Sequence, residues 1–505
     1  MTMKNLTAVG WLLLVAVAPT AAVGQATGSA GSFDEPPAAL QNLGDLARAT
    51  PERGGVGPIA RDLRPEAVGA RGSGLLPPEP STPPAPADTM GLAELEDAAL
   101  EANPGVQAAR RRAEAGEARI PQAGALPDPQ LSVGLMDLPV PDFELSSGMT
   151  MFSLQVSQMI PTPGSRDLRA DAARTAHEAA LREVEEAERQ VLTELRAAYH
   201  ELVFTYEAEE ILRRNRQLVE DIAHIADRRL AVAEAPQQDV LRAHTEVSRL
   251  DDQIVALGSR RTQARSRINE LLDRDPSTDF VPLAPEPVRT LALEPAEEAA
   301  FTAAALEGGM GNGFPDLEEL QARASEERPA LRGQEARVEE ARVRRDLAER
   351  QRRPDLGWMA SYNPRVGHQD MVSVGVMVDL PLFRGRKQDQ ALVEAEARAG
   401  EERAGYQERV AEVRSEVAER YDELLRLRER LTLLDQGVIP QAEAAVESAV
   451  GAYQTGTIQF AGLLEAQAEL FRNEIERTRL LADFGAELAA LEGAVGSDLT
   501  DEVNR

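Results

Sequence analysis

Met371-Val372-Ser373-Val374-Gly375-Val376-Met377-Val378-Asp379-Leu380 is the stretch that decides how this chain folds. Val372, Val374, Val376, Val378 and Leu380 share one parity, and Ser373, Gly375 and Asp379 share the other. Side chains of a strand point to opposite faces in turn, so this segment reads as a strand with one apolar face and one polar face. Phe152, Leu154, Val156 and Ile160 stand opposite Ser153, Gln155 and Ser157 in the same way. Partner strands read Leu131, Val133, Leu135 and Leu356, Trp358, Ala360, Tyr362. About ten residues of alternation is the length of a strand tilted across a bilayer. One such strand would equally fit a half-buried soluble sheet. Four of them, in hairpins at 129–160 and 354–381, favour the membrane.

Four strands cannot close a barrel. Open edges are not tolerated in lipid, and single-chain barrels begin at about eight strands. Several chains must therefore contribute to one barrel, and three would supply twelve strands.

Outward from the hairpins, one plan occurs twice. Asn103-Pro104 opens a helix with proline at a tolerated first-turn position, and that helix is expected to end near Pro121. Arg328-Pro329 opens another 225 residues later, and Pro354-Asp355 closes it. Leu230…Val240-Leu241-Arg242-Ala243 aligns with Tyr453…Leu463-Leu464-Glu465-Ala466 at an offset of 223. Two such close offsets mark an internal duplication whose period is too long for a solenoid. The repeats are assigned to 91–272 and 326–495, joined by a segment at 273–325 and followed by a tail at 496–505. Each repeat carries a long helix, 165–231 and 386–452, and a return helix, 237–272 and 458–491. A long helix of this size is a rod of about 100 Å. Val184, Val191 and Ala198 recur every seven residues, as do Leu195 and Leu202, which predicts coiled-coil-like packing. The rods alone would also fit a soluble periplasmic coiled-coil scaffold, but hairpins between rods are not expected there.

Composition narrows the class. The net charge of −30 argues against nucleic acid as a partner, since phosphates need basic patches. Aromatics at 4% are thin for a stack of globular cores, and the absence of Cys excludes disulfides, thiol nucleophiles, Cys-bound zinc and an N-terminal lipid on Cys. Lys4 precedes Trp11–Ala18, an apolar run too short to span a bilayer, and small residues follow it. Residues 1–25 are read as a secretory signal, and 26–90, rich in Pro, Gly and Ala, as a flexible leader.

The order and spacing of these motifs resemble the TolC-like outer-membrane efflux ducts. Arg328-Pro329-Ala330-Leu331, Arg353-Pro354-Asp355-Leu356, Asp239-Val240-Leu241-Arg242-Ala243, Leu271-Leu272-Asp273-Arg274-Asp275-Pro276 and Tyr453-Gln454-Thr455-Gly456 carry the likeness, which spans about 91–495. Ile160-Pro161-Thr162-Pro163-Gly164 is similar to a heavy-metal branch of that family. The resemblance implies a mainly α chain with a small membrane β-barrel part, built of duplicated helix, β-hairpin, long helix and helix halves. Three copies would form a duct in the outer membrane of a Gram-negative bacterium, reaching into the periplasm. Its partners would be a periplasmic adaptor and an inner-membrane pump of the resistance-nodulation-division type. Its cargo would be heavy-metal cations or small toxic compounds; the exit duct of type I protein secretion is the alternative within transport. The pump would supply the energy, so no enzymatic activity and no cofactor are expected.

By the same resemblance the tip turns form the gate. Asp239, Tyr453 and Glu465 match gating positions, and Ala233, Pro236 and Gly456 belong to the turns. Two positions depart from the family: Ala233-Glu234-Ala235-Pro236 stands where Gly is common, and Ile458 replaces a gating Arg of some members. An Asp239 carboxylate ring would concentrate cations in a narrow bore, although acids at a helix start are also favoured by the dipole alone. Of 11 Met residues, Met136, Met149, Met151, Met159, Met359, Met371 and Met377 lie in the hairpins with the parity of the polar face. They are read as lumen-facing, either as soft contacts for Cu(I) or Ag(I) or as flexible filler. His177, His200, His224, His244 and His368 are scattered, and no metal-binding helical pair, phosphate loop or nucleophile elbow is present, so no resident metal is expected.

Overall fold

The computed structural model describes residues 88–137, 140–141, 149–233, 236–283, 292, 314–365, 367–455 and 457–499. The segments read as a signal (1–25) and a leader (up to 87), most of the joining segment, Gly456 and the end of the tail lie outside the described residues. Three helices open the first repeat: α1 (Leu92–Ala102), α2 (Pro104–Gly124) and, after the first hairpin, α3 (Ser165–Ala231). The α4 helix (Gln237–Leu271) returns along α3. The second repeat runs through α5 (Leu317–Glu327), α6 (Pro329–Arg350), α7 (Gln388–Leu433), α8 (Ile439–Gln454) and α9 (Phe460–Val495). Two short strands, β1 (Asp88–Met90) and β4 (Phe280–Pro282), pair in parallel beside the first repeat. Tyr199 fastens that pair to α3, its hydroxyl accepting from Leu283 N at 2.8 Å and lying 2.7 Å from Leu283 O.

Four strands form one antiparallel sheet: β2 (Gln130–Met136), β3 (Met151–Ile160), β5 (Asp355–Asn363) and β6 (Met371–Asp379), in the order β2-β3-β5-β6. The register aligns the alternation across all four strands. Val133 pairs with Leu154, Leu154 with Tyr362, and Tyr362 with Val372. Apart from Gln158, one face is therefore apolar from edge to edge, and it is open: Val133 is 75% and Val374 80% exposed. An exposed apolar sheet of this extent has to be covered by lipid or by another molecule. Thr162, just past β3, donates to the Asp355 carboxylate from both its amide (2.7 Å) and its hydroxyl (2.9 Å), tying the exit of one hairpin to the start of the other.

The helices follow the sequence with two corrections. Pro121 lies inside α2 rather than at its end. It falls within the last turn, so the one bond its missing N–H costs, to the Glu117 carbonyl, is lost where the helix is about to end. The second rod, expected to run unbroken through 386–452, is interrupted by a π turn over Leu434–Val438. Pro440 has no N–H for the carbonyl four residues before it, so the ladder slips there; widening to an i→i+5 bond absorbs the slip.

Four apolar clusters hold the rods together. Leu95, Leu195, Leu202, Ile268 and Phe280 form one in the first repeat. A larger one in the second repeat joins Val417, Leu424, Leu431, Phe484, Leu488 and Leu491. Phe204, Leu212, Leu250 and Ala482 link α3, α4 and α9. The fourth, Ala223, Ala243 and Phe460, lies at the tip. The recurring alanines of α3 (Ala172, Ala179, Ala208, Ala223, Ala226) are buried, which lets neighbouring helices approach closely.

Candidate functional site

Two regions carry the residues singled out by sequence: the turns at the tip and the polar face of the sheet. At the tip, α3 ends in Val232 and Ala233, whose φ of 62° is left-handed, and α4 starts after Pro236. Asp239 lies in the first turn of α4, half-buried, where its charge meets the positive end of the helix dipole. Asp227 on α3 faces His244 on α4 at 3.6 Å, an ion pair when the imidazole is protonated.

Tyr453 on α8 reaches across to the first repeat. Its ring meets Phe460 edge-on at 6.0 Å, and the Arg229 guanidinium sits 5.2 Å from its centroid. A cation over an aromatic ring contributes about 0.5–1 kcal/mol at an exposed site. Arg229 is a residue that sequence reasoning misses. Its one local signal, a basic residue in the last turn of α3, is shared with Arg228 and with many helix ends. Glu465 on α9 is exposed and lines a groove of about 490 Å³ with Gln238, Leu241, Arg242 and Arg249 of α4. The structure thus brings Tyr453 to the end of α3 and Glu465 to the side of α4. Neither Asp239 nor Glu465 has a cationic partner among the described residues. Gly456 lies outside them.

On the sheet, Met136, Met151, Met159, Met359, Met371 and Met377 all fall on the face opposite the apolar row. Met149 lies before β3 and is exposed. Met136 pairs directly with Met151 at one end. At the other end Met159 and Met377 flank Gly357 on the neighbouring strand, and Met359 faces Gly375.

Among the described residues no group of three or more His, Cys, Asp or Glu could hold a metal ion, and no helix is long and apolar enough to cross a membrane. His200 is buried against Gly485, and its imidazole is pushed down to about 4 by burial and by the nearby Arg196 guanidinium. Arg196 in turn holds Glu96, Glu492 and Asp498, joining α1 and α3 to the end of α9.

The sequence matches the model of a family described as outer membrane efflux protein over residues 95–274 and 320–497. No curated protein matches the chain significantly. Among solved structures it is similar to the outer membrane protein VceC of Vibrio cholerae, with 20% identity, a TM-score of 0.64, and coverage of 81% of this chain and 96% of that one. The CmeC outer membrane channel of Campylobacter jejuni has 16% identity and a TM-score of 0.64, over 81% and 88% of the two chains. The MtrE outer membrane channel of Neisseria gonorrhoeae has 18% identity and a TM-score of 0.63, over 81% and 89%. At these identities the likeness is one of fold.

Proposed function

The chain belongs to the outer membrane efflux protein family, an efflux exit channel of the outer membrane, and from that premise we propose that it works as a passive homotrimeric duct docked on a periplasmic adaptor and an inner-membrane pump of the resistance-nodulation-division type. One observation carries the oligomer. The sheet has apolar side chains exposed across all four strands and free edges at β2 and β6, an arrangement that cannot lie alone in lipid. Pairing β6 of one copy with β2 of the next closes a twelve-stranded barrel from three chains and satisfies every edge. The apolar row then faces lipid, and the methionine-bearing row faces the bore. The soluble-scaffold alternative leaves that apolar face without a cover.

The tip serves as the gate. Arg229 over Tyr453 clamps α8 against α3, and the Asp239 and Glu465 carboxylates, without a cationic partner among the described residues, favour cations at the mouth. Heavy-metal cations rank slightly ahead of drugs as cargo; the methionines of the polar face support that order. No chemical step is assigned to this chain, since transport energy comes from the pump.

The native chain has no Cys, so strand pairing can be tested cleanly. Cysteine pairs scanned along the two free edges, centred on Ser132→Cys with Ser373→Cys, should give a covalent trimer under oxidation in outer-membrane fractions. Products confined to monomer and dimer at every pair would overturn the three-chain barrel. A deletion strain grown against copper, silver, zinc, cobalt and a drug panel separates cargo classes: sensitivity to lipophilic drugs alone would remove metals.

A further inference from the structure

The two faces of the sheet sort methionine completely. On the face read as the bore, every side chain that is neither polar nor glycine is a methionine. The other occupants are Ser132, Ser153, Ser157, Ser361 and Ser373, with Gln, Asn, Asp and three glycines. The opposite face holds Leu, Val, Ile, Phe, Trp, Tyr, Ala and Gln158, and no methionine. Methionine used as filler is interchangeable with Leu or Ile and belongs on both faces. Thioether sulfur is what distinguishes it, and here sulfur is confined to one side.

Three of the six strand methionines lie at one end of this face, two of them over the same glycine. Met159 on β3 and Met377 on β6 both pair with Gly357 of the strand between them. Met159 Sδ lies 2.8 Å and Met377 Cε 3.1 Å from the point a Gly357 Cβ would occupy, so the two thioethers meet over the bare glycine. Met359, two residues along the same strand, bends over Gly375, which is itself two residues from Met377. Gly357 and Gly375 leave the space that these flexible side chains fill. Asp379, exposed and without a cationic partner among the described residues, lies two residues beyond Met377. These rows hold no imidazole, and their one carboxylate pair, Asp355 beside Asp379, is partly engaged because Asp355 accepts from the Thr162 amide and hydroxyl, which leaves the methionines as the soft donors of the row.

Resting on the reading of this face as the bore of a duct, we propose that Met159, Met359 and Met377 form a thioether site for a soft monovalent cation, Cu(I) or Ag(I), in transit. Uncharged thioethers hold such a cation without neutralising it, which suits a contact that must also release. Rotation about the methionine χ angles brings the three sulfurs round one ion. Hydrated K⁺ and Mg²⁺, which seek oxygen, gain nothing there.

The test uses the purified full-length protein in detergent with Ag⁺ as the probe, read by calorimetry and by sulfur scattering at the silver absorption edge. The unsubstituted protein should bind Ag⁺ through sulfur in the presence of excess Mg²⁺. Met159→Leu, Met359→Leu and Met377→Leu together should weaken binding at least about tenfold, whereas Met136→Leu, Met151→Leu and Met371→Leu at the other end should leave it within about twofold. Gly375→Ala keeps every sulfur but drives Met359 aside, and it should weaken binding too. Undiminished binding in the first triple variant, equal loss in both triples, or no binding by the unsubstituted protein overturns the site. Silver tolerance of the deletion strain tests export separately. A silver-sensitive deletion rescued by the first triple variant leaves metal export standing and removes the site. Sulfur-bound Ag⁺ with no change in silver tolerance keeps the site and removes metal export.

Discussion

The two repeats build one joint with different chemistry. In the first, Asn103 stands before α2; its Oδ1 accepts from Gly105 N at 2.9 Å and Val106 N at 3.2 Å, while its Nδ2 donates to Leu271 O at 2.9 Å. In the second, Arg328 stands before α6, and its guanidinium donates to Ala494 O at 3.0 Å and to Glu416 at 2.6 Å. Each tie joins the start of a helix to the far end of the return helix of its own repeat. Each return helix is followed by a left-handed residue, Asp273 at φ 51° and Gly496 at φ 99°. A Cβ at 496 would sit 2.9 Å from Arg328 Cα, so glycine is obligatory there. The two joints share a backbone connection and differ in their side chains. A neutral amide is satisfied by backbone alone, whereas a buried cation also needs a carboxylate.

Removing the cation should therefore cost more than removing the amide. Arg328→Ala leaves Glu416 and the Ala494 carbonyl without their donor and should cost about 3 kcal/mol. Asn103→Ala loses a helix cap and one long-range bond and should cost about 1–2 kcal/mol. Denaturant unfolding of the solubilised protein measures both. Equal losses would show that the second joint gains nothing from its charge.

The long helices differ in the same sense. The buried face of α3 includes His200, Thr205, Glu209 and Asn215, while that of α7 is Val413, Val417, Tyr421, Leu424, Leu427 and Leu431. Acid should accordingly weaken the first repeat before the second. His200 is neutral in the folded chain down to about 4, whereas an unfolded histidine takes a proton near 6.5. Stability from this group is complete above 6.5, falls as pH drops between 6.5 and about 4, and is fully lost below that. The loss approaches about 3 kcal/mol at low pH. Its neighbours are Arg196, which opposes protonation, and the Tyr199 ring at 6.4 Å. Amide exchange followed from pH 7 to pH 4.5 should show α3 and α9 opening ahead of α7, and His200→Leu should flatten that dependence. An unchanged pH profile in the variant would assign the acid response to carboxylates instead.

The parts of this fold that sequence makes legible are those with local periodicity. Val372 to Val378 shows its strand and its apolar face in seven residues, because strand alternation needs no partner. The duplication is legible because two motifs keep nearly one offset. The break at Leu434–Val438 is not read from the heptad-like composition around it, although Pro440 was a local signal that the ladder had to slip. The ties that set the joints leave no pattern at all: Asn103 and Leu271 are 168 residues apart. Arg229 over Tyr453 is hidden in the same way, since one last-turn arginine looks like another until the second repeat is placed beside it. Sorting the methionines needs only parity, but their convergence over Gly357 needs the register of three strands.

The smallest expected effect lies at the tip, where the repeats differ in sequence at an offset of 223: Ala233 in the first, Gly456 in the second. Ala233 is held at φ 62°, where its Cβ crowds the following carbonyl at a cost of about 1–2 kcal/mol. Ala233→Gly relieves that strain, and part of the gain is offset because glycine also frees the unfolded chain. The net should be a stabilisation of the turn by about 0.5–1 kcal/mol. The effect is local, so amide exchange over 228–240 is the measurement, not global unfolding. Slower exchange in the variant means that the first turn carries backbone strain relieved by glycine alone. Faster exchange would mean that the Ala233 methyl is packed in the assembled tip and offsets its own strain, which would make the departure from glycine a contact rather than a cost.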